Sequence, residues 1–294
     1  MNLKQRMATY RRSGKSFFSL CLICLLLVAM NVHAGTQAIR EVKYDFKQIA
    51  ALAKGLERNL AARRARVAII GRVGINPELL PPGVEYEHAG FAVYSKIRTS
   101  DNRLVPGYAI YNLYQGAQRT GQSHLAQDYP VDYLAVSQIL KVGVVIPNQK
   151  LQSALLRTIF SESYARLHNP RYSVLSNPLN DQYQNCTEFV LDVLFAAIYQ
   201  TDNTREIKAN IAAWFEPQAI VVDPVKLQLA EMTMPDVRTD DHQGSIAIAT
   251  FPTISRFLMN NGIAEQAFTY TVDPSTLYGT IAELGPAPSP TTRN

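Results

Sequence analysis

Apolar residues recur at helical spacing between Asp45 and Arg64. Phe46, Ile49, Ala50, Ala53, Leu56 and Leu60 fall on one stripe, which predicts an amphipathic helix. Arg63, Arg64 and Arg66 close it, where cations suit the negative end of the helix dipole. The pattern then shortens. Val67 to Val73 is a largely apolar run of strand length, followed by a loop punctuated by Pro77, Pro81, Pro82 and Gly83. Residues 86–97 predict a second strand. One face carries Tyr86, His88, Gly90, Ala92 and Tyr94; the other carries Glu87, Ala89, Phe91, Val93 and Ser95. A polar hairpin loop over 98–106 leads into a third strand over 107–115, with Tyr108, Ile110, Asn112 and Tyr114 on one face.

Residues 116–130 are polar and irregular in this pattern. A short helix is expected over 131–137 and a strand over 138–147. Asn148 suits the N-cap of a helix over 149–167, whose core face holds Leu151, Leu155, Ile159 and Tyr164. After an Asn-, Pro- and Ser-rich loop over 168–182, Asn185 opens a helix that runs from Cys186 to Ile198, with Glu188 at the capping-box position. A further helix is expected over 203–215, ended by Pro217. Short strands follow at 219–222 and 245–250, then a helix over 253–260 with Gly262 past its end. Strands in the first half and helices between them predict an α+β fold, with an antiparallel sheet packed against the cysteine-bearing helix.

The N-terminus changes the reading of composition. Lys4, Arg6, Arg11, Arg12 and Lys15 precede an apolar run from Phe17 to Met30, and Val32-His33-Ala34 offers a cleavage site. The run is shorter than the roughly 20 residues of a membrane span. Residues 1–34 therefore predict a secretory signal peptide cut after Ala34, and a periplasmic or secreted protein with no membrane span after cleavage. Retention of the leader as an anchor is the alternative. The formal charge of +5 resides in those five basic residues, so the remainder is neutral and the basic pI gives no reason to expect nucleic acid as a partner. Residues 35–285 are expected to form a single domain with peripheral helices, and the Pro-, Ser- and Thr-rich segment 286–294 a disordered tail.

Of the three cysteines, two (Cys21 and Cys24) belong to the leader. A lone thiol in an oxidising compartment is unusual. Cys186 is either a small buried hydrophobe or a nucleophile, and the positive end of a helix dipole is a setting that favours thiolate. A nucleophilic thiol needs a base. His168 and His242 sit in loops flanked by polar residues and read as surface histidines, and His124 lies in an irregular polar stretch. His88 sits inside a strand beside small Gly90 and Ala92, which leave room over the sheet. A strand histidine facing a cysteine at a helix start is the arrangement of papain-like hydrolases, here with the histidine first in the chain.

Glu87-His88-Ala89-Gly90-Phe91-Ala92-Val93 and Tyr183-Gln184-Asn185-Cys186-Thr187-Glu188-Phe189 resemble the two signature segments of a bacterial family, domain of unknown function 2145. The resemblance spans roughly residues 65–262. That family is similar to circularly permuted papain-like (NlpC-type) cysteine hydrolases. The resemblance implies a permuted papain-like fold and a Cys186–His88 pair. It also places the orienting third residue on the strand after the histidine strand, where the interior polar candidate is Asn112. Related enzymes carry an acid or a histidine there. Backbone N–H groups at the helix start would hold an oxyanion, with Gln184 or Tyr183 helping, while Asn185 reads as a cap.

No Cys pair or His-x-x-x-His spacing suggests zinc, and His124 with Asp128 supplies only two ligands. No glycine-rich phosphate loop is present, so no metal or cofactor is expected. Three functions remain: an exported hydrolase acting on a small molecule, peptide or cell-wall substrate through an acyl–Cys186 intermediate; a binding or scaffold protein on the same fold; and a redox-sensing thiol.

Overall fold

The computed structural model describes residues 42–285, apart from residues 100 and 118. The leader expected over 1–34 and the tail over 286–294 lie outside the described residues. The chain runs through α1 (Phe46–Ala62), β1 (Val67–Arg72), β2 (His88–Arg98), β3 (Leu104–Gln115) and β4 (Ser123–Asp128). It continues with α2 (Pro130–Leu134), β5 (Lys141–Pro147), α3 (Gln149–Ile159), α4 (Glu162–Arg166), α5 (Cys186–Tyr199) and α6 (Thr204–Trp214). It ends with β6 (Gln218–Ala219), α7 (Pro224–Thr233), β7 (Ala247–Ile248), α8 (Phe251–Asn260), β8 (Ala264–Val272) and β9 (Gly279–Glu283).

The fold is α+β. Seven strands form one antiparallel sheet in the order β4-β3-β2-β1-β5-β8-β9, and β6 pairs with β7 separately. Strand alternation divides the side chains between two cores. On one face, Ala68, Ile70, Ala92, Ile110 and Val144 meet α1 and α2. On the other, Val67, Ile69, Ala89, Phe91, Val93 and Val145 meet α3, α5 and α8. β1 is covered on both faces and buried along its whole length, which explains its continuous apolar run.

The helices start where their caps dictate. Asp45 caps α1 in a capping box with Gln48, and Asn148 caps α3 through Leu151 N. The helix expected over 149–167 breaks at Phe160, where Ser161 caps the separate α4. α5 is buried on all sides, and apart from Thr187, Glu188 and Asp192 its buried residues are apolar. Phe189, Val190, Leu191, Val193, Leu194 and Phe195 are all fully buried. A helix of that composition is stable only inside a core, and each large side chain contributes about 1.5–3 kcal/mol by leaving water. Close packing against α8 depends on two glycines. A Cβ on Gly143 would lie 2.4 Å from the Phe251 ring, and one on Gly71 2.8 Å from it.

Three regions differ from expectation. β4 lies in the stretch read as irregular, because Ser123-His124-Leu125-Ala126-Gln127-Asp128 is an edge strand with little apolar content. Between the short strands expected at 219–222 and 245–250, to which the pattern assigned no helix, α7 occupies residues 224–233 behind an Asp223 cap. β8 and β9 complete the sheet in a segment to which the pattern assigned no element.

Candidate functional site

Cys186 is the first residue of α5. Asn185 is extended, and its side chain accepts from Glu188 N at 2.9 Å and donates to Val174 O at 3.2 Å. The reciprocal arm of the expected capping box is absent, because the Glu188 carboxylate instead takes Lys208 Nζ at 2.7 Å. Cys186 is 3% exposed, and its Sγ–H donates to Glu87 O at 3.5 Å. Burial pushes the thiol up to about 11, and the Glu87 carboxylate adds to this. Hydrogen bonding from the backbone at Ala89 and Thr187, and the charge of Arg72, act in the opposite direction.

α5 packs on the sheet face of Ala89, Phe91 and Val93. His88 alternates to the other face, directly opposite Arg72 in register. The β2–β3 ladder ends at Gly90↔Asn112, two residues short of the start of β2. Cys186 meets the chain at that end, against the carbonyl of the residue before His88. His88 is fully buried, and its Nε2 lies 2.9 Å from Asn112 Oδ1. Its ring stacks on Tyr114 at 4.9 Å and 7°, and Tyr133 lies tilted at 5.4 Å. The Tyr133 hydroxyl donates to His88 O at 3.2 Å. The space expected above Gly90 is taken by Asn112, since a Cβ on Gly90 would stand 3.0 Å from Asn112 Cβ.

Sequence reasoning singled out His88 and Asn112 but passed over the charges around them. Arg72, 1% exposed, lies within the β1 apolar run. Its guanidinium donates to the Tyr133 carbonyl and to the Tyr114 hydroxyl at 3.4 Å, lies 4.8 Å over the Tyr133 ring, and is 3.7 Å from the Glu87 carboxylate. Burial lowers its pKa, but Tyr114, Glu87 and Tyr133 outweigh burial, and the net direction is upward. Glu87 Oε2 also accepts from Gly74 N at 2.6 Å. The signal for both residues was a charge beside an apolar strand, which is retained only where it is paired.

Gln184 is buried. Its Oε1 accepts from Asn169 N at 2.9 Å, and its Nε2 donates to Leu167 O at 3.0 Å and Asp192 Oδ2 at 2.8 Å. Both amide hydrogens are thereby used within the fold, so the side chain has none left for an oxyanion. Tyr183 donates to Asp240 at 3.3 Å. Behind α5, Lys208 Nζ contacts Glu188 at 2.7 Å and both Asp192 oxygens at 2.7 and 3.0 Å. Burial, with Asp192 adding and Lys208 opposing, pushes Glu188 up to about 8, and burial raises Asp192 as well. A cavity of about 280 Å³ adjoins this cluster, lined also by His168, Arg171 and Asp181.

The other histidines have structural partners. His168 Nε2 meets Ser123 Oγ at 2.9 Å, and His242 Nε2 meets Leu175 O at 2.7 Å. Both are half-buried rather than the surface residues expected. Burial, with His124 nearby, lowers the pKa of His168. Among the described residues, no three His, Cys, Asp or Glu side chains are grouped to hold a metal ion, and no helix is long and apolar enough to cross a membrane.

A family model described as "Uncharacterized protein conserved in bacteria (DUF2145)" matches residues 59–258. The match includes Arg72, Glu87, His88, Asn112, Asp128 and Cys186, and ends before β8 and β9. Comparison with curated proteins and with solved structures gave no match.

Proposed function

The chain belongs to this family of uncharacterized bacterial proteins, and from that premise we propose that it is an exported cysteine hydrolase of the permuted papain-like type. Cys186 is the nucleophile, His88 the base and then the acid, and Asn112 the residue that orients the imidazole. The single observation that carries the reading is the His88 Nε2–Asn112 Oδ1 contact at 2.9 Å, at the strand end that also meets the Cys186 thiol. An amide oxygen there accepts a hydrogen bond from Nε2–H and leaves Nδ1 with a lone pair, the form a base requires.

The buried thiol is not a resting thiolate, since its pKa is pushed up to about 11. His88 therefore removes the Sγ proton as sulfur attacks the carbonyl carbon of an amide or ester. The tetrahedral oxyanion collapses to a thioester as His88 protonates the leaving amine or alcohol. Water then attacks the thioester, His88 takes its proton, and Cys186 leaves as the regenerated thiol. Backbone N–H groups, including that of Thr187, supply the oxyanion donors. Cell-wall peptides are the substrate class that an exported bacterial enzyme meets first.

A second reading, a binding or scaffold protein on the same fold, is favoured by the burial of Cys186 and its raised pKa. Intact-mass analysis after incubation with muropeptides separates the two. An acyl adduct on wild-type protein that is lost in Cys186→Ala supports the hydrolase. Its absence in wild type, with the peptides bound and unchanged, supports the scaffold.

A further inference from the structure

We infer that Asp128 is the positioning residue that fixes the His88 tautomer, acting through Asn112. Its bearing on catalysis rests on the hydrolase reading above; the orientation itself does not. Asn112 Nδ2 donates to Asp128 Oδ2 at 3.1 Å, and the Tyr114 hydroxyl donates to the same oxygen at 2.7 Å. Ionised carboxylates only accept hydrogen bonds, whereas an amide side chain has a donating end and an accepting end. Asp128 therefore selects the NH₂ end of Asn112 and turns the oxygen toward His88 Nε2, 2.9 Å away. An amide oxygen cannot donate, so neutral His88 carries its proton on Nε2.

A second chain of donors reaches the same oxygen. Arg72 donates to the Tyr114 hydroxyl at 3.4 Å, and Tyr114 donates onward to Asp128. Burial raises the Tyr114 pKa, which keeps the phenol protonated and able to donate. Tyr114 also stacks on the His88 ring, so one residue both supports the ring plane and occupies the acceptor that orients its partner. Asp128 is the last residue of β4 and lies opposite Ile110 in the β3 ladder, which brings its carboxylate across to Asn112.

The test is ¹⁵N NMR of the histidine-labelled full chain above pH 8, with His88 assigned from the His88→Gln spectrum. The Nε2–H form should dominate in the wild type. In Asp128→Ala the Asn112 amide keeps only the long 3.5 Å contact from Nδ2 to Ala126 O, and that dominance should weaken, with thermal melting confirming that the variant is folded. Should that variant not fold, Asp128→Leu replaces it, because a side chain of similar size with no acceptor leaves Asn112 equally unoriented. A wild-type His88 protonated at Nδ1, or an unchanged tautomer in a folded Asp128 variant, overturns the inference. Cys186 alkylation is followed in parallel. Lost tautomer dominance with unchanged alkylation leaves the orienting role standing and counts against the hydrolase reading instead.

Discussion

Replacing Lys208 with methionine removes the cation from a closed cluster beneath α5. Lys208 Nζ makes contacts of 2.7, 2.7 and 3.0 Å to Glu188 and Asp192, neither of which is appreciably exposed. Breaking a buried ion pair from one side costs about 3–5 kcal/mol, because the remaining charge is uncompensated. Two features set the size here. Glu188 is pushed up to about 8 and already holds a proton near neutrality, so the uncompensated charge is mainly that of Asp192. Asp192 retains Gln184 Nε2 at 2.8 Å and can also take up a proton, which limits the loss. The lower end, about 3 kcal/mol, is therefore expected at pH 7, roughly a hundredfold or more in the folding equilibrium and a large share of a typical domain's stability. Urea denaturation at pH 7 and pH 5 measures it. The loss should be smaller at pH 5, where Asp192 is protonated more readily, and Asp192→Asn should recover part of it in the double variant. A loss below about 1 kcal/mol at pH 7, or the same loss at both pH values, would show that the cluster is not a buried ion pair of the kind described.

Other expectations follow from the same geometry. Glu188 has a folded-state pKa raised from 4.5 to about 8, so its contribution is fully present below about 4.5 and is lost as pH rises toward 8; Glu188→Gln should flatten that part of the stability–pH curve, and an unchanged slope contradicts the assignment. Gly143→Ala forces a methyl to within 2.4 Å of the Phe251 ring and should cost about 1–3 kcal/mol in chemical denaturation, while a neutral result would mean that α8 shifts freely. Arg72→Met leaves Glu87 buried without its cation; it should lower the melting temperature more than the exposed Arg103→Met, and equal melts refute the pairing.

Much of the sheet was legible because burial on both faces imposes a continuous apolar run on β1 and β5, and because β2 and β3 are rich in β-branched and aromatic residues. The caps at Asn148 and Asn185 were legible from residue type alone. β4 was not, because an edge strand need not be apolar, and Asp128 was weighed only as a metal ligand. Pattern alone could not show that Glu188 turns away from its cap to Lys208, twenty residues along the chain. Nor could it show that Gln184 is consumed by Asn169, Leu167 and Asp192. Those partners come together only after α5 and α6 have packed. Arg72 and Glu87 carried a readable signal, a charge within or beside a buried strand, whose partner sequence reasoning did not seek.

Whether His88 and Cys186 work as a pair is decided by the pH dependence of Cys186 alkylation by iodoacetamide. With its pKa pushed up to about 11, the Cys186 thiol reacts without assistance only in strong alkali. If His88 accepts its proton as the sulfur attacks, wild-type protein should label well below that alkaline limit, and His88→Ala should displace labelling toward it. Superimposable wild-type and His88→Ala profiles would contradict the pairing.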